Sequence, residues 1–96
     1  MTNQTSESLP RSVLIGETVL YQELEEEVVL LNMADQQYYG LDDVAAQMWK
    51  CLLEVGDLVT AGDRLSRKYD VEGTTVRADL DRLVRDLLVA GLLKPA

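Results

Sequence analysis

The side chains able to do covalent or metal chemistry are few. Cys51 is the one cysteine, and the chain has no histidine. A nucleophilic cysteine needs a neighbouring base to make its thiolate, and the usual partner is missing. Cys51 therefore reads as a small, half-buried helix residue. One thiol cannot build a structural zinc site. Neither Gly-x-Gly-x-x-Gly nor a Gly-Lys-Ser/Thr phosphate loop occurs. Asp42-Asp43 and Glu25-Glu26-Glu27 carry oxygen ligands suited to a hard cation, but they fall at a helix start and a turn, where acidic residues serve structure. The expectation is a chain that is not an enzyme and uses no cofactor and no metal. What remains is main-chain hydrogen bonding. Gln37-Tyr38-Tyr39-Gly40 reads as a strand with neither charge nor proline. At the end of a sheet its unpaired N–H and C=O groups form a pairing template. It is either an ordinary short edge or an edge kept open for a partner strand.

Length and charge narrow the partners. Ninety-six residues make one domain with a modest core. The hydrophobic share of 47% fits a folded globule rather than a disordered tail. No apolar run approaches the roughly 20 residues of a membrane helix, so no membrane partner is expected. Residues 1–12 lack the basic start and apolar middle of a secretory signal. With one cysteine no internal disulfide can form, which agrees with a reducing, cytoplasmic location. The net charge is −8, from 17 acidic and 9 basic side chains. Phosphate binding needs clustered Lys and Arg, so nucleic acid is not expected as a partner. A basic peptide would suit this field. The plainer reading, that acidic charge keeps the protein soluble, covers most of these carboxylates.

The elements that position the edge follow from pattern. Residues 1–12 read as a flexible tail ahead of a single domain over 13–96. Thr18–Leu24, Val28–Met33 and Gln37–Leu41 read as three strands. Glu25-Glu26 and Ala34-Asp35-Gln36 form the turns, and connections this short favour an antiparallel meander. Val28 to Leu31 is continuously apolar, as a central strand can be. Asp42 is placed to cap a first helix, Asp43 to about Val55, which Gly56 stops. Ala45, Met48, Trp49, Leu52 and Leu53 recur at helical spacing on one face. A second helix is expected from about Ala61 to Tyr69, with Thr60 as N-cap and Asp63 three residues on. After a loop at Asp70-Val71-Glu72-Gly73, a third runs from about Thr75 to Ala90 and stops at Gly91. Its apolar face is Val76, Leu80, Leu83, Val84, Leu87 and Leu88. Arg77, Asp81 and Arg85 form a solvated stripe four residues apart. Leu92-Leu93 then packs back on the core. The fold class is α+β, winged helix-turn-helix-like: a three-stranded antiparallel sheet followed by three helices. That architecture serves DNA readers and peptide readers alike. In the third helix Arg77, Arg82 and Arg85 are balanced by Asp79, Asp81 and Asp86, which disfavours a winged-helix DNA regulator.

Several words within residues 18–93 carry a resemblance. They are Leu30-Leu31-Asn32, Tyr38-Tyr39-Gly40-Leu41-Asp42, Ala45-x-x-Met48-Trp49, Tyr69-Asp70-Val71, Val76-x-x-Asp79-Leu80-x-x-Leu83-Val84-x-x-Leu87 and Gly91-Leu92-Leu93. In this order the chain resembles the PqqD family, the small RiPP recognition elements that hold the leader segments of precursor peptides. It departs at Asp42, where the family more often has Asn, and at Ala45, where Gly is common. The resemblance implies that a leader adds as a fourth strand to the third strand, in a groove walled by the third helix. Carried onto this sequence, the peptide-binding residues are Gln36, Gln37, Tyr38, Tyr39, Gly40 and Leu41, with Val76, Asp79, Leu80 and Leu83. Val76, Leu80 and Leu83 are either contacts or core, and the helical wheel leaves open which flank faces the strand. Asp79 suits a Lys or an N–H group of the leader. Tyr38 and Tyr39 point to opposite faces, so at most one fills the core. The stand-alone form resembles the B1 proteins of lasso peptide pathways, whose partners are a leader peptidase and a cyclase. The alternative is a precursor chaperone for a radical-SAM enzyme in pyrroloquinoline quinone-type synthesis. A monomer is expected, with an edge-paired dimer as the alternative.

Overall fold

The computed structural model describes residues 9–69 and 73–96. Eight elements follow in the order β1 (Val13–Ile15), β2 (Val19–Glu23), β3 (Glu27–Asn32), β4 (Gln37–Asp42), α1 (Asp43–Val55), α2 (Leu58–Tyr69), α3 (Gly73–Val89) and β5 (Leu93–Pro95). The expected meander is present as a three-stranded antiparallel sheet in the order β2-β3-β4. In register, Leu30 stands opposite Tyr21 on one side and Tyr39 on the other. The apolar run Val28–Leu31 lies in the central strand. Val28, Leu30 and Asn32 are buried against the helices, while Val29 is exposed on the outer face.

Sheet and helices meet without a loop. Asp43, the residue that joins them, has a left-handed φ of 53°, a conformation Asp tolerates better than most residues. Its N–H donates to Glu26 O at 2.9 Å, which carries the β3–β4 ladder one residue past the strand. The expected side-chain cap at Asp42 does not form. Asp42 occupies the N-cap position with extended backbone, but its carboxylate accepts no capping hydrogen bond. At the other end, Gly56 (φ 76°) donates its N–H to Leu52 O at 2.7 Å and closes α1 as expected.

α2 begins three residues before the expected Ala61. Asp57, rather than Thr60, provides the cap, accepting the Thr60 N–H at 2.8 Å. Such bonds to the charged form hold the Asp57 carboxyl below its usual value, with Arg11 adding a smaller attraction. Of the expected loop at 70–73, Asp70, Val71 and Glu72 lie outside the described residues, and Gly73 belongs to α3.

The core is built on Trp49, Leu52, Leu30, Leu58, Leu65, Leu80, Val84 and Leu92. Tyr21 meets Trp49 edge-on, with ring centroids 5.6 Å apart. Cys51 is buried, which raises its thiol pKa and makes it a packing residue.

A second, two-stranded sheet was not evident in the sequence. β1 pairs antiparallel with β5, Val13 opposite Pro95 and Ile15 opposite Leu93. Residues 1–8 of the expected tail lie outside the described residues. Its last four residues are tied to the fold. Leu9 packs on the core, Arg11 O accepts from Leu58 N–H, and Ser12 O accepts from Ala96 N–H. No described helix is long and apolar enough to cross a membrane.

Candidate functional site: an open strand edge beside α3

An inner strand of an antiparallel sheet points alternate residues at its two neighbours. Met33 N–H donates to Thr18 O and Leu24 N–H to Glu27 O, so the odd-numbered residues of β3 face β2. Asp43 N–H donates to Glu26 O, so the even-numbered residues face β4. In β4, therefore, Tyr39 and Leu41 spend their N–H and C=O groups on β3, and Gln37 faces the same way. Tyr38, Gly40 and Asp42 turn theirs outward. With β4 last in the sheet, these outward groups form an unpaired edge.

Side chains along β4 alternate too. Leu41 is buried and Tyr39 half-buried against the core, whereas Tyr38 is 72% exposed on the opposite face. Tyr39 is thus the tyrosine that packs inward. Tyr38 lies in a row across the outer face with Leu31 and the exposed Leu20. A Cβ added at Gly40 would meet nothing within 4 Å. The outer face of the sheet is therefore uncovered at the middle of β4.

The strand is entered through a turn fixed by side chains. Asn32 Oδ1 accepts the Ala34 N–H, and Asp35 Oδ1 accepts the Gln37 N–H, both at 3.0 Å. Gln36 takes a left-handed φ of 59° to complete the turn.

α3 supplies the wall. It packs mainly on α2 and β5 and touches β4 little, which leaves an open cleft of about 250 Å³. Leu83, Asp79, Arg82 and Asp86 of α3 line it, facing Val44, Ala45 and Met48 of α1. Asp79 and Leu83 thus stand at the cleft. Val76 (5% exposed) and Leu80 (0%) belong to the core, the second of the two roles open to them. Gln36, Gln37, Tyr38 and Gly40 are exposed along the edge. Spacing alone does not single out Val44 and Met48, which sit on a helix whose period marks a core face, nor Arg82 and Asp86, whose charges balance one another along α3.

The cleft is apolar at its floor and charged at its rim. Arg82 lies 4.0 Å from Asp79, and Arg77 pairs with Asp81 at 2.9 Å. These pairs neutralise much of the basic charge that α3 could present to phosphate. Among the described residues no group of acidic, His or Cys side chains could hold a metal ion.

Comparison with known proteins agrees with this geometry. No curated protein matches the chain. Two solved structures are similar. "TbiB1 in Complex with the TbiA(beta) Leader Peptide" shares 32% identity over 85% of this chain and 95% of that one, with a TM-score of 0.80. "Lasso peptide synthetase B1 complexed with the leader peptide" shares 25% identity over 88% and 99%, with a TM-score of 0.78. Residues 27–93, from the first residue of β3 to the first of β5, match the family described as Coenzyme PQQ synthesis protein D (PqqD), and the chain belongs to that family.

Proposed function

We propose that this protein is a non-catalytic binder of the leader segment of a ribosomally made precursor peptide. The observation that carries the reading is the unpaired β4 edge, free of charge from Gln37 to Leu41, together with the α1–α3 cleft that follows it. The two similar B1 structures, each solved with a leader peptide, support it. The leader adds as a fourth strand, exchanging backbone hydrogen bonds with Tyr38, Gly40 and Asp42. Alternate leader side chains then enter the cleft over Leu83, Val44 and Met48. Backbone pairing supplies affinity and the cleft supplies sequence choice. Asp79 and Asp86 at the rim, in a chain of net charge −8, favour a leader with basic residues.

The protein contributes local concentration and orientation rather than bond making. Cys51 is buried, and the chain has no histidine to activate it. By likeness to the B1 proteins, the loaded precursor passes to a leader peptidase and a cyclase of a lasso pathway. A radical-SAM partner in quinone-type synthesis is the alternative within the family. The test is fluorescence anisotropy of labelled leaders from neighbouring precursor genes, with a short DNA duplex as control. Saturable micromolar or tighter binding of one leader is expected. Salt-sensitive duplex binding without leader binding would overturn the reading.

A further inference from the structure

We propose that Asn32 is a positioning residue for the bound peptide, setting the gap between the β4 edge and α3. The inference rests on the peptide-binding reading above. Among the described residues, Asn32 is the polar one buried with the core, 5% exposed. Burying an amide there is costly unless its polar atoms are bonded. Its Oδ1 accepts from the Thr18 hydroxyl at 2.9 Å and from the Ala34 N–H at 3.0 Å. Its Nδ2 donates to Ala90 O at 3.2 Å. Two donors at one end and a carbonyl at the other fix the amide in a single orientation.

Two of these bonds, to Ala34 and Ala90, join the two sides of the peptide groove. Ala34 lies in the turn that leads into β4, and Asn32 itself stands opposite Gln37, the first residue of that strand. Ala90 follows directly on α3. From there α3 runs back through Asp86, Leu83 and Asp79, which line the cleft with Val44, Ala45 and Met48 of α1. The C-terminal end of α3 is therefore tied near the start of β4. α3 is held by packing on α2 and β5 and joined to the β4 side through Asn32. Glycine at residue 91 suits this close approach. Gly91 has a φ of 78°, and a Cβ there would lie 3.2 Å from Asn32 Nδ2.

The gap matters because an added strand must meet β4 at hydrogen-bonding distance and α3 at contact distance together. A slack of about 1 Å forfeits up to half of each dispersion contact. Asn32 touches no peptide. It acts through the positions of β4 and α3.

The experiment titrates the cognate leader into wild-type, Asn32→Asp and Thr18→Val proteins, each held well below its melting point. Asn32→Asp keeps the size and both acceptor contacts but sets an oxygen against Ala90 O. Thr18→Val removes one bond to Oδ1 and leaves the α3 tether in place. Both variants should melt earlier. Asn32→Asp should weaken leader binding about tenfold, the worth of one buried hydrogen bond. Thr18→Val should stay within about twofold. In the free Asn32→Asp protein, amide shifts at Ala90, Gly91 and Leu92 should move while those of Tyr38 to Leu41 hold. If Asn32→Asp does not fold, Asn32→Ser, too short to reach Ala90 O, carries the same expectation. Wild-type-like binding by the untethered variant, or an equal loss in Thr18→Val, overturns the inference while leaving the peptide reading intact. A wild-type protein that binds no leader overturns both.

Discussion

The three-stranded sheet has two edge strands, β4 and β2, and their surroundings differ. On β4 the outward groups belong to Tyr38, Gly40 and Asp42, and no charged side chain occurs from Gln37 to Leu41. On β2 the same alternation turns Val19, Tyr21 and Glu23 outward. That edge is guarded. Lys50 crosses its end, donating to Leu24 O at 3.2 Å and Glu25 O at 3.4 Å. Glu23, Lys50, Arg64 and Lys68 line the cleft beside it, which at about 430 Å³ is larger than the one beside β4. Lysines and other charges at a strand edge are a usual defence against unwanted pairing. Cleft size therefore does not set the β4 edge apart. The absence of protection does.

The largest expected effect separates fold from edge within β4 itself. Tyr39→Pro removes an N–H that faces β3 and should cost on the order of 3 kcal/mol of stability, read by chemical denaturation. Gly40→Pro removes an N–H that faces solvent. It should leave the melting midpoint nearly unchanged and weaken leader binding at least about tenfold by anisotropy. If the two prolines behave alike, the assigned alternation of inward and outward groups is wrong.

A smaller effect concerns charge. Asp79→Lys should reduce affinity for a basic leader about threefold to tenfold, more at low salt than at high. A change independent of salt would assign Asp79 to packing instead.

Asp57 tests a site remote from both edges. Its carboxyl is held below the ordinary value of 3.8 by the Thr60 N–H. A depressed folded pKa contributes stability that is full above the unfolded value and is lost as pH falls through the folded one. Asp57→Ala should therefore lower the melting midpoint at neutral pH and flatten the acid limb below about pH 4. Leader affinity should not move. The smallest expected effect is on the guarded edge. Glu23→Pro removes an outward N–H of β2 and should leave leader affinity within about twofold. A loss there comparable to Gly40→Pro would mean that the wrong edge has been assigned.

Much of this arrangement was legible before the structure. The meander, the strand-to-helix join, the Gly56 stop and the core face around Trp49 all follow from local period and turn residues. The third strand was legible as the uncharged last strand of the meander, either an ordinary edge or one kept open for a partner. The β1–β5 sheet was not legible, because Val13–Ile15 finds its partner some 80 residues away and no local pattern encodes such a pairing. The start of α2 was misplaced because Thr60 and Asp57 are both good caps, and only geometry shows which carboxylate or hydroxyl reaches a free N–H. The division of α3 into core and cleft residues was also out of reach. A helical wheel gives angles between side chains but not the direction of the neighbouring helix, so Val76 and Leu83 looked equivalent. Asn32 appeared only as part of an apolar word. Its three bonds span up to 58 positions in sequence.

The most direct test of the central claim is amide hydrogen exchange by NMR, with and without a saturating leader peptide. The account predicts new protection at Tyr38, Gly40 and Asp42, with little change at Tyr39 and Leu41, which are already bonded to β3. Val19, Tyr21 and Glu23 should exchange as before. Protection on β2 instead, or a leader that binds tightly without slowing the outward amides of β4, would contradict strand addition at this edge.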